Sequence, residues 1–195
     1  MKVNETKSCE MIITNIHHLS PLPPSGINGK ALNRVEFVKI LGLILSSDLE
    51  WEREINSKIS KCSRLTYALE HLKYTHDSDD LIYLFESVFV PTLLYCCPAW
   101  SNLSKESTRR LQKLCNRASR SINLQLNVNK CIEKQIADLF SKAKDQSHPL
   151  HSIIAFHLKM CGTGRRRRLR SVKSRTTRFL ISFLPSAIRL FNHST

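Results

Sequence analysis

The chain carries five cations within one short segment, where apolar residues separate them at helical spacing. Steps of three and four residues place side chains on one face of a helix, so the spacing predicts a cationic face opposite an apolar one. Cations arranged in this way can contact successive phosphates of a nucleic acid and release its counterions. An ordinary solvated face is the alternative interpretation. We call these residues the basic stripe: Arg109, Arg110, Lys113, Arg117 and Arg120.

A second basic cluster consists of Arg165, Arg166, Arg167, Arg168 and Arg170. This composition is typical of a nuclear localisation signal or of a nucleic-acid-binding arm, and equally of a solvated linker. The residues alone leave these three interpretations open. The formal net charge of the chain is +14, and every charged residue after Asp145 is basic. A surplus of this size indicates a polyanionic partner, with nucleic acid favoured over an anionic membrane surface.

The spacing of His148, His151, His157 and Cys161 resembles that of zinc ligands. No Cys-x-x-Cys pair accompanies them, so we expect no metal site. The five glycines form no phosphate-binding loop, and no arrangement of a nucleophile with a histidine base is supported. The sequence therefore predicts no catalytic residue, no metal ligand and no cofactor in this chain.

Length and composition favour a folded protein inside the cell. The chain has 195 residues with 42% hydrophobic residues, which is compatible with a real core. Seven cysteines without a secretory signal indicate reduced thiols, and we interpret the adjacent Cys96 and Cys97 as packing residues. No apolar segment is long enough to span a membrane. We expect a nuclear or cytoplasmic protein that is not secreted and binds no membrane.

The N-terminal quarter has the signals of short strands. Asn28-Gly29 predicts a tight hairpin turn, because both central positions of such a turn need positive φ. The aliphatic residues 35–45 predict one continuous strand that is partly buried on both faces. Ser46, Ser47 and Asp48 break that strand and supply a helix cap.

The rest of the chain reads as helices and a basic tail. Periodic apolar residues predict helices at 51–74, from 78 onward, at 105–122 with Ser104 as cap, at 129–144, at 148–160, and from Pro185 to 192. Residues 98–103 read as a turn and 162–178 as a basic loop. Pro91 is expected to end or kink the second helix. That helix is apolar nearly all round and is expected to be central and buried.

The predicted fold class is α+β and mostly α. Short N-terminal hairpin strands are followed by an antiparallel helical bundle and a basic C-terminal tail. The predicted divisions are 1–48, 49–123 and 124–195. Charged residues of the first helix, among them Glu54 and Lys58, are expected to face water because they lie off its apolar stripe.

Several motifs, in this order and spacing, resemble the downstream part of the reverse transcriptases of non-LTR (LINE-type, jockey-like) retrotransposons. The first motifs are Phe37-Val38-Lys39-Ile40-Leu41-Gly42 and Leu49-Glu50-Trp51, and an apolar helix ending in Pro98-Ala99-Trp100 follows them. The similarity extends over nearly the whole chain. The matching segments are 4–13, 37–42, 49–55, 84–100, 111–122, 175–179, 182–185 and 187–192.

The resemblance implies that residues 1–48 are the end of a polymerase palm and that 49–123 are its thumb. The primer-grip strand would then include Phe37, Lys39, Leu41 and Gly42. In this family the grip holds the primer 3′ end, and the thumb holds the RNA/DNA template–primer duplex. The basic stripe is the face that such a thumb requires.

The catalytic residues of that family are not expected in this chain. Nucleotidyl transfer needs carboxylates that hold two Mg²⁺ ions, which the family supplies from palm motifs including an aromatic-x-Asp-Asp turn. Asp79-Asp80 does not match this turn, because Asp77 stands in the place of the aromatic residue and the flanks are helical. We expect these aspartates to stabilise a helix N-terminus. The palm and fingers of the parent polymerase, with their Mg²⁺, would be missing partners.

Two hypotheses from different classes follow. In the first, the chain is a fragment of an RNA-directed DNA polymerase that holds the duplex and is inactive alone. In the second, it is a non-catalytic basic helical protein that binds RNA or DNA, or a decayed gene product with no function. An in-frame aromatic-x-Asp-Asp palm encoded upstream of Met1 would favour the first hypothesis.

Overall fold

The protein mixes α and β structure and is mostly helical, with its short strands concentrated near the N-terminus. A computed structural model describes residue 4 and residues 7–14, 22–120, 122–155, 157–158, 160–161 and 168–194. The chain divides into two units, Met1–Ser57 and Lys58–Thr195. The predicted boundaries at 48 and 123 stay predictions. Among the described residues, no helix has the length and apolar character needed to cross a bilayer.

The first unit contains three strand pairs. Strand β1 (Cys9–Glu10) runs parallel to β4 (Asn33–Arg34), and β2 (Gly26–Ile27) runs antiparallel to β3 (Lys30–Ala31). Asn28 and Gly29 connect β2 and β3 with φ values of 52° and 80°. This geometry confirms the predicted hairpin at Asn28-Gly29, because both turn residues adopt the positive φ that the turn requires.

The predicted continuous strand 35–45 is wrong. The segment is a hairpin of β5 (Phe37–Ile40) and β6 (Leu43–Ser46), paired in register from Phe37 and Ser46 to Ile40 and Leu43. Leu41 and Gly42 form its turn with φ values of 48° and 86°. Glycine adopts positive φ easily. Leu41 is aliphatic like its neighbours, so the turn could not be distinguished from the apolar run in the sequence. The hairpin is also more exposed than predicted, since Leu41 at its tip is 88% exposed.

Nine α-helices, one π-helical turn and one further strand pair follow in the described part of the chain. Helix α1 begins in the first unit and continues into the second. The segments are α1 (Glu52–Leu72), α2 (Ser78–Leu84), a π-helical turn (Phe85–Phe89), α3 (Val90–Leu94), α4 (Cys97–Trp100), α5 (Lys105–Arg120), α6 (Val128–Ala143), α7 (His151–Ile154), β7 (Met160–Cys161) paired with β8 (Arg168–Leu169), α8 (Thr177–Leu180) and α9 (Phe183–Ser194).

The core of the second unit lies where these helices meet. Helix α6 packs against α4, α5 and α9. Its apolar face is buried through Ile132, Ile136 and Phe140, as the sequence pattern predicted. Trp100 of α4 is fully buried, and its indole N–H donates to the carbonyl oxygen of Tyr95 at 2.9 Å. Burial of side chains of this size is the main source of stability for the unit.

Pro91 does not end its helix. The π-helical turn precedes it, and the N–H of Val90 donates to the carbonyl oxygen of Phe85, one residue further back than in an α-helix. Helix α3 then runs through Pro91 to Leu94. The wider π-helical turn lies directly before the position where Pro91 lacks an N–H donor, and the chain stays helical through it.

The helix that was expected to be buried nearly all round has one buried face and one exposed face. Leu81, Phe85 and Phe89 are buried, and the rings of Phe85 and Phe89 stack with centroids 4.9 Å apart. Tyr83 and Val88 are exposed on other sides. Residues 98–103, predicted as a turn, begin with helical residues of α4 because Pro98 fits the first turn of a helix.

Glu54 and Lys58 do not face water as expected; both are buried. The carboxylate of Glu54 accepts a hydrogen bond from the Ile44 N–H at 2.9 Å. The ammonium of Lys58 donates to the Tyr95 carbonyl oxygen at 2.9 Å and lies 5.0 Å from the centre of the Trp100 ring. Burying a charged group without hydrogen-bond partners would destabilise the fold. The hydrogen bonds to backbone atoms offset that cost.

Part of the predicted basic loop 162–178 forms secondary structure, since β8 and the start of α8 lie within it, and residues 162–167 of this loop lie outside the described residues. The predicted helix 148–160 is reduced to α7 (His151–Ile154). Strand β8 is attached to α9, because the Asn192 amide accepts from the Leu169 N–H at 2.8 Å and donates to the Leu169 carbonyl at 3.2 Å. The terminal helix was predicted from Pro185 and begins two residues earlier, at Phe183.

Candidate nucleic-acid interface

Helix α5 positions the basic stripe. Ser104 caps its N-terminus, since the Ser104 hydroxyl accepts from the N–H of Ser107 at 3.0 Å. Leu111, Cys115 and Ala118 are fully buried on one face, as predicted. Because this apolar face is fixed in the core, the helix must present its opposite face, which carries the stripe, to solvent.

Two of the five stripe cations already have carboxylate partners. Arg109 binds Glu106 through two hydrogen bonds of 2.8 and 2.6 Å, within α5. Arg117 binds Glu70 of α1 through two hydrogen bonds of 2.9 and 2.8 Å. These hydrogen bonds from the guanidinium groups lower the pKa of both Glu106 and Glu70, so both pairs stay ionised near neutral pH.

The paired arginines are nevertheless accessible, since the Arg109 and Arg117 side chains are each 57% exposed. Lys113 and Arg120 are exposed and make no ion pair within the part of the chain that the structure describes. Arg110 is half-buried. The stripe therefore keeps a surplus of positive charge at its surface after the charges of Glu106 and Glu70 are subtracted.

A polar groove, which sequence reasoning missed, begins at Arg120. Its volume is about 880 Å³, and it lies between α5, the following loop and the start of α6. Gln112 holds this loop by donating to the Leu126 carbonyl at 2.7 Å and accepting from the Val128 N–H at 3.0 Å. The sequence signal that could have predicted this groove is the high density of side-chain amides. The groove is lined by Gln112, Asn116, Ser119, Arg120, Asn123, Leu124, Gln125, Leu126, Asn127, Lys130 and Cys131.

The arginine cluster falls largely outside the described residues. Arg165, Arg166 and Arg167 lie outside them, and only the backbone of Arg168 is described, in β8. Arg170 is exposed, and its carbonyl oxygen accepts a hydrogen bond from the Nδ1 of His157 at 3.2 Å. The three interpretations of this cluster stay open.

The predicted primer-grip residues belong to the β5–β6 hairpin of the first unit. Phe37 is half exposed, and the guanidinium of Arg53 lies 4.6 Å from the centre of its ring. Lys39 is exposed, and Leu41 with Gly42 forms the turn. The structure gathers these four residues in one short hairpin, whose tip exposes Leu41.

Within the described side chains, no group of three or more His, Cys, Asp and Glu residues is arranged to hold a metal ion. Burial raises the pKa of Cys62 to about 11 and the pKa values of Cys97 and Cys115 to about 12, so these three thiols stay protonated near neutral pH. Cys97 packs in the core as expected, whereas Cys96 is exposed because it adopts a left-handed turn conformation with a φ of 54°.

The aspartate pair lies where a helix N-terminus favours negative charge. Asp79 and Asp80 occupy the first turn of α2, as predicted.

Compared with known proteins, the chain matches no protein family, no curated protein and no solved structure.

Proposed function

We propose that the chain binds nucleic acid without catalysing a reaction, through the basic stripe on the exposed face of α5. The observation that carries this proposal is the geometry of that helix. Its apolar face is anchored in the core, and five cations follow one another along the other side over about three turns. Backbone phosphates are the ligand that such a row of cations fits, because each contact releases condensed counterions.

The ion pairs at Arg109 and Arg117 refine the proposal. A guanidinium that is hydrogen-bonded to a carboxylate in two places is oriented, but its charge is already compensated. Lys113 and Arg120 then supply most of the uncompensated charge, while Arg109 and Arg117 supply further N–H donors. The groove beside Arg120 adds amides and Lys130, which suit sugar and phosphate oxygens.

For the parent protein we propose an RNA-directed DNA polymerase of a non-LTR retrotransposon. The support is the ordered set of sequence motifs that resembles the palm end and thumb of that family, together with short N-terminal strands followed by helices. In this proposal α1, α2 and α5 form a thumb-like antiparallel bundle, and the β5–β6 hairpin is the primer grip. The chain alone would show no primer extension with Mg²⁺, template–primer and nucleotides, because it carries no aromatic-x-Asp-Asp turn.

A second candidate function is a free-standing basic helical protein that binds RNA or DNA, or a decayed product with no function. The cationic face of α5 supports binding in either setting, since it requires no upstream palm. The sequence encoded upstream of Met1 separates the two hypotheses. An in-frame palm supports the polymerase fragment, whereas a promoter without a palm supports the free-standing protein.

The proposal is tested by changing the stripe and measuring binding. In fluorescence anisotropy, the wild type should bind an RNA/DNA duplex with little sequence preference. A variant with Arg109→Ala, Lys113→Ala and Arg117→Ala should bind more weakly, because fewer counterions are released. Its thermal unfolding should stay close to that of the wild type, since all three side chains are exposed. Equal binding by the two proteins would refute the role of the stripe.

A further inference from the structure

Three aromatic side chains lie on one exposed side of α1 and its final turn. Tyr67, His71 and Tyr74 are spaced by four and three residues, so they share one helix face. Tyr74 lies two residues beyond the end of α1, in a turn where its N–H donates to the His71 carbonyl at 3.3 Å. We call these three residues the aromatic ridge.

The aromatic ridge does not serve the core. Tyr67 is 60% exposed and Tyr74 is 82% exposed, while the opposite face of α1 buries Cys62, Thr66 and Leu69. The rings of Tyr67 and His71 already meet edge to face, with centroids 4.2 Å apart. Large aromatic surfaces left in water at regular spacing have free area for a planar ligand.

The Glu70–Arg117 ion pair joins the aromatic ridge to the basic stripe. Glu70 stands three residues after Tyr67 and four before Tyr74, so it borders both rings on α1. The same carboxylate accepts the two hydrogen bonds of Arg117. The cations of the basic stripe and the exposed rings of the aromatic ridge therefore adjoin one another within the second unit.

Further cations accompany the ridge along α1. Arg64 is exposed three residues before Tyr67, and Lys73 is exposed beside Tyr74. A protein partner that covered the rings with apolar side chains would also have to desolvate these cations, which is costly. A ligand that carries flat rings on an anionic backbone satisfies both the tyrosines and the cations.

We propose that the aromatic ridge stacks unpaired bases of a nucleic acid whose backbone lies along the basic stripe. This inference rests on the proposed function and adds a preference to it. A duplex presents its bases stacked and paired inside, so it can use the stripe but not the ridge. A single-stranded segment can use both, because each of its bases has an accessible face.

The test compares three labelled probes in fluorescence anisotropy: an oligothymidylate of about fifteen nucleotides, an abasic strand of the same length, and a duplex. The wild type should bind the oligothymidylate more tightly than the abasic strand. A double variant, Tyr67→Leu with Tyr74→Leu, should lose about tenfold or more in affinity for the oligothymidylate. Its affinities for the abasic strand and for the duplex should not change, because those probes offer no free bases.

Two matched variants control for folding and for general loss of aromatic surface. Tyr67→Phe with Tyr74→Phe keeps the rings and should bind like the wild type. Tyr83→Leu removes a tyrosine of α2 that is 71% exposed and lies outside the ridge, so it should also bind like the wild type. Equal loss in the phenylalanine double variant would contradict stacking.

The possible failures are distinguishable. If the wild type binds the duplex in a salt-dependent way but binds the oligothymidylate and the abasic strand equally, the ridge inference is wrong and the proposed function stands. If the wild type binds none of the three probes, both are wrong. If the leucine double variant abolishes self-association in sedimentation velocity while its nucleic-acid affinities stay unchanged, the ridge is a protein interface and the inference is overturned.

Discussion

Arg117 illustrates how a neighbouring carboxylate limits what a surface cation contributes. Its guanidinium is held by Glu70 at 2.9 and 2.8 Å, so its charge is compensated before any ligand arrives. The sequence showed the cation and its spacing, but it could not show the partner, because Glu70 lies 47 residues away on another helix. Ion pairs between distant residues have no local signal in a sequence.

Replacing the partner carboxylate should strengthen nucleic-acid binding. In Glu70→Gln, the Arg117 guanidinium is no longer compensated and a nearby negative charge is removed. We expect tighter duplex binding and a salt dependence steeper by about one phosphate contact. Fluorescence anisotropy at several salt concentrations measures both quantities. Folding should be little affected, since an exposed ion pair contributes little to stability.

Glu133→Gln is the matched control, because it removes an exposed glutamate of α6 that makes no ion pair in the described part of the chain. A smaller effect is expected there, since no stripe cation is released. Weaker binding by Glu70→Gln would contradict the account and would mean that Glu70 presents Arg117 to the ligand in the required orientation.

The environment of Glu10 predicts how the stability of the first unit changes as the pH falls. Hydrogen bonds from the side chain and N–H of Ser25, and from the Arg34 guanidinium, lower its pKa from 4.5 to about 2. A carboxyl with a lowered folded pKa adds stability above its unfolded pKa and loses that contribution as the pH falls through the folded value. The contribution is therefore complete above about pH 4.5 and disappears towards about pH 2.

Amide hydrogen exchange of residues near Ser25 measures this effect. At neutral pH, Glu10→Gln should exchange faster than the wild type, because the ionised acceptor is gone. As the pH is lowered through the window from 4.5 to about 2, the ratio of protection factors, which corrects for intrinsic exchange, should approach one. A ratio that stays constant across this window would show that folding does not lower the pKa of Glu10.

At the scale of secondary-structure elements, amphipathic helices with clear caps were predictable. Helices α1, α5 and α6 lie within a few residues of their predicted bounds, because each combines a periodic apolar face with a capping residue or an acidic first turn. Turns and prolines were harder. Asn28-Gly29 was recognisable, but Leu41-Gly42 was hidden in an apolar run. Pro91 does not end its helix, and Pro98 lies in a helix where a turn was predicted.

The cap of α5 is an element that can be tested directly. Ser104→Ala removes the acceptor for the Ser107 N–H and should lower the free energy of unfolding by about 1 kcal/mol in urea denaturation. Ser104→Asp should restore most of the loss, because a carboxylate also caps a helix and interacts favourably with its N-terminus.

Ser60→Ala is the control for this cap, since Ser60 is exposed in the middle of α1. Alanine has the higher helix propensity, so this change should be neutral or slightly stabilising. If Ser104→Ala and Ser60→Ala shift the unfolding midpoint equally, the hydrogen bond of Ser104 is not what fixes the start of α5.

At the scale of the whole molecule, charge and apolar periodicity predicted a basic, mostly helical protein with short N-terminal strands. It did not predict which charges would be buried. Glu54 and Lys58 are buried because backbone atoms 10 and 37 residues away complete their hydrogen bonds. Hydrogen bonds of this kind form only in the assembled fold, so no local pattern in the sequence predicts them. The basic stripe, by contrast, follows from the helical period of α5 alone.

The central claim is that the basic stripe binds nucleic acid through its uncompensated charges. The decisive measurement is the salt dependence of duplex affinity for the wild type, for Lys113→Ala with Arg120→Ala, and for Lys134→Ala with Lys142→Ala. The last variant removes the same charge from exposed positions of α6. We predict a slope shallower by about two contacts for the stripe variant and a smaller change for the control. Equal slopes for all three proteins would contradict the claim.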